Sequence, residues 1–254
     1  MWGSIFPIFT KGRVLKKESL ECLRDFPRDL ADASFCEYSD GILFGFTIRC
    51  EKDGYISISK GACKYKGEFI VLPAVELEIP EYGRLLYAKL IVGEIDETPD
   101  CRICPITIEL DSGKPLKENE VELGRFSLNR GAVLRFKHDS FRDLRTPENT
   151  LDITSVPFAG IGGQTLNPIV MKMFAHELML RSSDPVDIGF ALLCLAGNIV
   201  NKSSIQWFLA KKDNLNYNEY EISILYEKLE ILLSRYGTHE LKPEKKRGLG
   251  PTIS

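Results

Sequence analysis

The hydrophobic period turns from strand-like to helical in the second half of this chain, and that change limits the fold more than any single motif does. From Gly41 to Phe136 the apolar residues come in short β-prone runs: Ile42 to Ile48, Tyr55 to Ser59, Cys63 to Leu72, Leu85 to Val92, Cys104 to Leu110, Glu122 to Leu128 and Val133 to Phe136. Turn chemistry separates them. Asp53-Gly54 suits a two-residue hairpin, Lys66-Gly67-Glu68 divides the third run into two strands, and Asn129-Arg130-Gly131 follows the sixth. The charged, Pro- and Gly-containing stretches Glu94 to Asp100 and Asp111 to Asn119 read as loops. Short strands with turns at this spacing predict an antiparallel sandwich or barrel.

Past Asn167 the period becomes helical. Asn167-Pro168 opens a helix to about Arg181, with Ile169, Met173, Phe174, Leu178 and Met179 on one stripe. Asp184-Pro185 pairs an N-cap residue with proline at the first helical position, and starts a second helix through about Val200. A third spans Ser203 to Ala210. A fourth, Tyr217 to Tyr236, aligns Tyr220, Ile224, Leu225, Leu229, Leu232 and Leu233, and Gly237 is a natural stop. Short connections between four helices predict a small bundle. Ahead of the strands, Leu20, Leu23, Phe26 and Leu30 recur at helical steps between Lys16 and Leu30, a short amphipathic helix that Pro27 interrupts.

The expected class is therefore α+β with more than one domain: an N-terminal antiparallel β-sandwich with a leading short helix, then a C-terminal helical bundle. The expected divisions are 1–137 for the β-sandwich, 138–167 for an irregular linker containing Pro147, Pro157, Gly160, Gly162 and Gly163, and 168–237 for the bundle. The tail 238–254, with its basic run Lys245-Lys246-Arg247, has nothing to pack and reads as disordered.

With 44% apolar residues in 254, the chain can bury a real core without staples. A net charge of −3 provides no basic excess, and aromatics are not interleaved with a basic stripe, so nucleic acid is not an expected partner. Cys22, Cys36, Cys50, Cys63, Cys101, Cys104 and Cys194 are odd in number and scattered, which fits a reducing compartment. The first residues lack a signal-peptide pattern. The apolar run Ile188 to Val200, broken by Gly189, Gly197 and Asn198, is too short to span a bilayer. A soluble cytoplasmic protein is expected, with no membrane partner.

No catalytic constellation stands out, and neither a cofactor nor a metal is expected. Cys101-Arg102-Ile103-Cys104 has the spacing of a redox pair or half a zinc site, but no second pair completes it, and the following Pro105 to Ile108 reads as strand rather than helix. An enzyme or ligand-binding β-domain using Cys101 and Cys104 is the alternative reading. Gly160-Ile161-Gly162-Gly163 precedes a helix but lacks the Lys-Ser/Thr of a phosphate loop, and a hinge explains it more simply. His176-Glu177 fails as a zinc-protease motif because Leu180 stands where the second histidine is needed. His138 and His239 have no partners nearby in sequence.

One family pattern covers about half the chain. Phe9-Thr10-Lys11-Gly12-Arg13-Val14-Leu15, then Gly41-Ile42-Leu43-Phe44-Gly45-Phe46-Thr47-Ile48, then Ile56-Ser57-Ile58-Ser59-Lys60-Gly61 and Tyr65-Lys66-Gly67 resemble the N-termini of phage tail and baseplate proteins, those of contractile injection systems included. Glu122 to Leu128 also resembles a strand of such domains. The resemblance is to a TssK-like β-domain followed by a helical domain. It implies a non-enzymatic structural component, an oligomeric adaptor expected to be a trimer, whose partners are itself and other baseplate or tail proteins.

Overall fold

The computed structural model describes residues 6–52, 54–113, 116–197, 199–213 and 216–236; for residues 51 and 52 only the backbone is considered. The predicted tail 238–254, the Gly237 stop and the Asp53 half of the first turn lie outside these residues.

The chain is α+β, and every pairing between its strands is antiparallel. A leading helix, α1 (Lys17–Phe35), precedes β1 (Gly41–Gly45), β2 (Ile48–Lys52), β3 (Tyr55–Ile58), β4 (Gly61–Tyr65), β5 (Glu68–Leu72) and β6 (Val75–Glu78). Then come β7 (Leu85–Val92), the short β8 (Asp96–Glu97) and β9 (Arg102–Ile103), β10 (Ile106–Asp111) and β11 (Glu120–Ser127). Three sheets have the orders β1-β4-β5, β2-β3-β6 and β10-β7-β11, and β8-β9 is a small hairpin. The helices α2 (Pro168–Arg181), α3 (Pro185–Ala196), α4 (Lys202–Asp213) and α5 (Ile222–Arg235) follow.

Several expectations change in detail. The run Ile42 to Ile48 is not one strand: Gly45 (φ +79°) and Phe46 (φ +53°) both take the left-handed region, and β1 and β2 consequently join different sheets. This corner needs glycine for two reasons, its φ and the lack of room, since a Cβ on Gly45 would lie 2.1 Å from the Lys60 carbonyl oxygen. Gly45→Ala is expected to destabilise the protein by at least ~2 kcal/mol, read as a lower urea midpoint at unchanged slope. Val133 to Phe136 forms no strand, and only Arg135 bridges to Thr150. Three strands were not anticipated: β6, and the β8 and β9 of the hairpin inside a stretch of charge and proline. Proline does not end α1, whose 19 residues include Pro27; the ring removes one backbone donor without ending the helix.

In β10-β7-β11 the central strand carries a buried lysine. Lys89 Nζ lies 2.8 Å from Asp111 and 3.2 Å from Glu120, one carboxylate from each flanking strand. Burial works against the ammonium, but these hydrogen bonds outweigh it and hold the Lys89 pKa above the ordinary value.

Residues 138–167 contain little regular structure, yet they are among the best-packed parts of the molecule. Phe141, Leu144, Leu151, Ile153, Val156, Phe158 and Leu166 are buried. Their backbone is paired: Asp152 exchanges hydrogen bonds with Arg125 of β11, and Ile42 of β1 bonds Pro157 and Ala159. Phe141 stacks on Tyr226 of α5 and meets Phe174 of α2 edge-on; Phe174 in turn touches Phe190 of α3 and Phe208 of α4. Tyr226 donates to the Phe141 carbonyl, Glu177 accepts from the Phe141 N–H, and Arg145 lies over the Tyr226 ring. One continuous apolar core thus runs from the sheets through this segment into the helices.

Asn167 and Asp184 cap α2 and α3 through their side chains, as their positions before proline suggested. The buried face of α2 is Val170, Met171, Phe174, Ala175 and Leu178, rotated from the expected stripe, so Ile169 and Met179 face solvent. On α5 the expected Leu225, Leu229, Leu232 and Leu233 are buried, while Ile224 is exposed.

Candidate interaction surfaces

The residues that looked chemical in the sequence do not converge. Cys101 is exposed in the turn of the β8-β9 hairpin, where its N–H and carbonyl are held by Thr98, and Cys104 is half-buried after β9. Among the described residues, no group of three or more His, Cys, Asp or Glu side chains could hold a metal ion. Burial raises the thiol pKa of both Cys63 and Cys194 to about 12, which suppresses the reactive thiolate. The run Gly160 to Gly163 forms a tight loop closed by the Phe158–Thr165 pair and pinned through Ser39 Oγ to the Gly160 N–H and through Asn201 to the Ile161 N–H. His176 is exposed, and its neighbour Glu177 is engaged by Phe141 and Arg181. His138 Nε2 lies 2.6 Å from the Leu151 carbonyl and lines, with Phe44 and Ile169, an apolar cleft of about 380 Å³.

The surface is more informative. α1 buries none of its residues, although Leu20, Leu23, Phe26 and Leu30 form the expected apolar stripe and are each about half exposed. The segment before it adds Phe6, Ile8, Phe9, Val14 and Leu15, all more than half exposed. Phe6 packs edge-on against Phe26, so arm and helix present one surface. The far end of α1 is anchored, because Lys64 of β4 donates to the carbonyls of Phe35 and Tyr38.

A second surface lies on α3. Its sequence, PVDIGFALLCLA, has one charged residue, Asp187, and that residue is buried. The outward positions Val186, Gly189, Leu192, Leu193 and Ala196 are exposed and uniformly apolar. A helix apolar on every side belongs in an interior, so half of α3 is dressed for burial that this single chain does not supply. Trp207 of α4 is 62% exposed and packs on Tyr217.

On the inner side of α3 lies a buried carboxylate with an ion-pair partner. Asp187 accepts from Ser182 Oγ at 2.5 Å and Tyr236 OH at 2.7 Å, and its other oxygen lies 2.9 Å from Lys212 Nζ. Lys212 also reaches the capping Asp184 at 3.0 Å. Burial disfavours the Lys212 ammonium, but bonds to Tyr236, Asp187 and Asp184 more than compensate and raise its pKa.

Among the described residues no helix is long and apolar enough to cross a membrane. No family model matches the sequence, and no curated protein matches it. Solved structures similar in outline include the following two. A cryo-electron microscopy structure of the type VI secretion TssK-TssF-TssG baseplate subcomplex contains a chain 10% identical, with a TM-score of 0.40, over 91% of this chain and all of that one. The chain is also similar to TssK in a crystal structure, at 14% identity and a TM-score of 0.46, over 92% of this chain and 72% of that one.

Proposed function

We propose that this protein is a structural component of a baseplate, in a contractile injection system or a phage-like tail, acting as an oligomeric adaptor through protein–protein contacts. The observation that carries this reading is α3, whose outer face is uniformly apolar and stands in solvent. Covering such a face removes apolar area from water, and copies of the same chain supply a cover at matched stoichiometry. In this reading residues 1–137 dock on the baseplate and residues 168–237 drive self-association, with a trimer as the expected state. The motif resemblance of the first seventy residues supports the baseplate assignment, and the scattered chemistry of the cysteines and histidines supports a non-enzymatic role.

Light scattering on the full chain tests it. The wild type is expected to be a defined oligomer, and Leu192→Asp with Leu193→Asp is expected to break that state with little loss of fold, since both side chains are about half exposed. A monomeric wild type, or an oligomer indifferent to these changes, would count against the α3 assignment. Co-purification with the other baseplate proteins of the same system tests the docking half.

A further inference from the structure

Resting on the oligomeric reading above, we infer that the cleft lined by His138 binds an uncharged, extended peptide segment, and that its occupant is the N-terminal arm, residues 6–9, of a second copy of the chain. The cleft, about 380 Å³, is walled by β1, the Gly45-Phe46 corner and the start of α2, and among the described residues no Lys, Arg, Asp or Glu lines it. Phe44 and Ile169 stand 53% and 45% exposed there, apolar surface that an occupant would remove from water. Two polar groups of the lining lack a partner. Asn167, only 7% exposed, uses Oδ1 to accept from the Ile169 N–H that it caps, and its amide nitrogen has no partner among the described residues. His138 Nε2 meets a carbonyl, which only accepts, so Nε2 carries the proton and Nδ1 of the neutral ring is an acceptor, also without a partner among the described residues. An aliphatic chain in the cleft would leave this donor and this acceptor unpaired, at a cost. A carboxylate or an ammonium would find no opposite charge. A main-chain amide brings both a carbonyl and an N–H and carries no charge.

Residues 6–9, Phe-Pro-Ile-Phe, have the matching chemistry. The segment is uncharged, Phe6, Ile8 and Phe9 are 66%, 80% and 53% exposed, and among the described residues its backbone makes no hydrogen bond. Pro7 fixes its own φ and steers Phe6 away from the helical region, which lowers the entropy lost when the segment is held extended. In its own chain Phe6 lies on Phe26 of α1, and none of these four residues lines the cleft, so the arm that fills it comes from another copy. Arm and cleft are different surfaces, and contacts of that kind run head to tail, as a ring of three copies requires.

The test uses the full chain with Phe6→Ser, Ile8→Ser and Phe9→Ser, which leaves the clefts without arms, and a fluorescently labelled peptide of residues 3–13 as the probe in anisotropy titrations. The peptide is expected to bind saturably, one per chain. Ile169→Asp, at an exposed helix start where an acid is favourable, is expected to weaken binding at least tenfold. Asn167→Asp keeps an N-cap oxygen for the Ile169 N–H but removes the amide donor, and should weaken binding about tenfold with the helix signal in circular dichroism unchanged. Light scattering reads the assembly separately: the three serine changes are expected to lower the mass of the full chain, whereas Leu192→Asp with Leu193→Asp is expected to leave peptide binding unchanged, so a failure of the α3 assignment is visible apart from a failure of the cleft. No peptide binding, or binding indifferent to both Ile169→Asp and Asn167→Asp, would overturn the site. Equal binding of a peptide with the same residues in scrambled order would overturn the arm as its occupant. A mass indifferent to the serine changes would overturn exchange between copies.

Discussion

Lys212→Met is expected to lower the unfolding free energy by about 3–5 kcal/mol, the usual cost of removing one partner from a buried ion pair. The carboxylate of Asp187 is 1% exposed, and its ion pair is with Lys212 at 2.9 Å. Methionine preserves the apolar stem of the side chain, so the loss reads the charge rather than the packing. Ser182 and Tyr236 would still donate to Asp187, which sets the loss below that of a wholly orphaned charge. The double change Lys212→Met with Asp187→Leu should recover part of it, because the buried charge is gone while Ser182 and Tyr236 lose their acceptor. Chemical denaturation of the single and double variants checks both statements. If the single change costs less than ~1 kcal/mol, the network is solvated and the account of this corner is wrong.

Phe174→Ala should cost a comparable ~3–5 kcal/mol, as expected for removing a fully buried aromatic ring. Its consequence is wider than its size. Phe174 contacts Phe141 from the irregular segment, Phe190 from α3 and Phe208 from α4, so one ring joins three parts of the chain. The sheets and helices share this core, and the variant is expected to unfold in a single transition shifted to lower denaturant, monitored in parallel by strand- and helix-sensitive signals. Loss of helix signal alone, with the sheets unfolding at their original midpoint, would show that the aromatic cluster does not couple the two halves.

Both expectations rest on tertiary contacts that no local pattern announces. Asp187 looks like an ordinary first-turn acid beside an N-cap, and Lys212 like an ordinary last-turn base. They meet because α3 and α4 fold back on each other, bringing together residues 25 positions apart. Phe141 sits among residues that carried no periodic signal, so its burial could not be read from its neighbours in sequence.

The class of fold, the position of most elements and the caps of α2 and α3 are written in local chemistry. Period-two and period-3.6 patterns, turn glycines and Asx-Pro caps act within a few residues and need no long-range partner. The misses share the opposite cause. The corner at Gly45-Phe46 depends on the close approach of Lys60, β6 exists because β3 offers it an edge, and residues 138–167 are held by bonds to β1, β11, α2 and α5. The amphipathic stripe of α1 was legible from its spacing, but spacing shows only that a helix has an apolar side. Whether that side is covered depends on what the rest of the chain places over it, and here the fold leaves the stripe of α1 and the outer face of α3 in solvent, because the apolar area of the core is already satisfied by the sheets, the irregular segment and the inner faces of the helices.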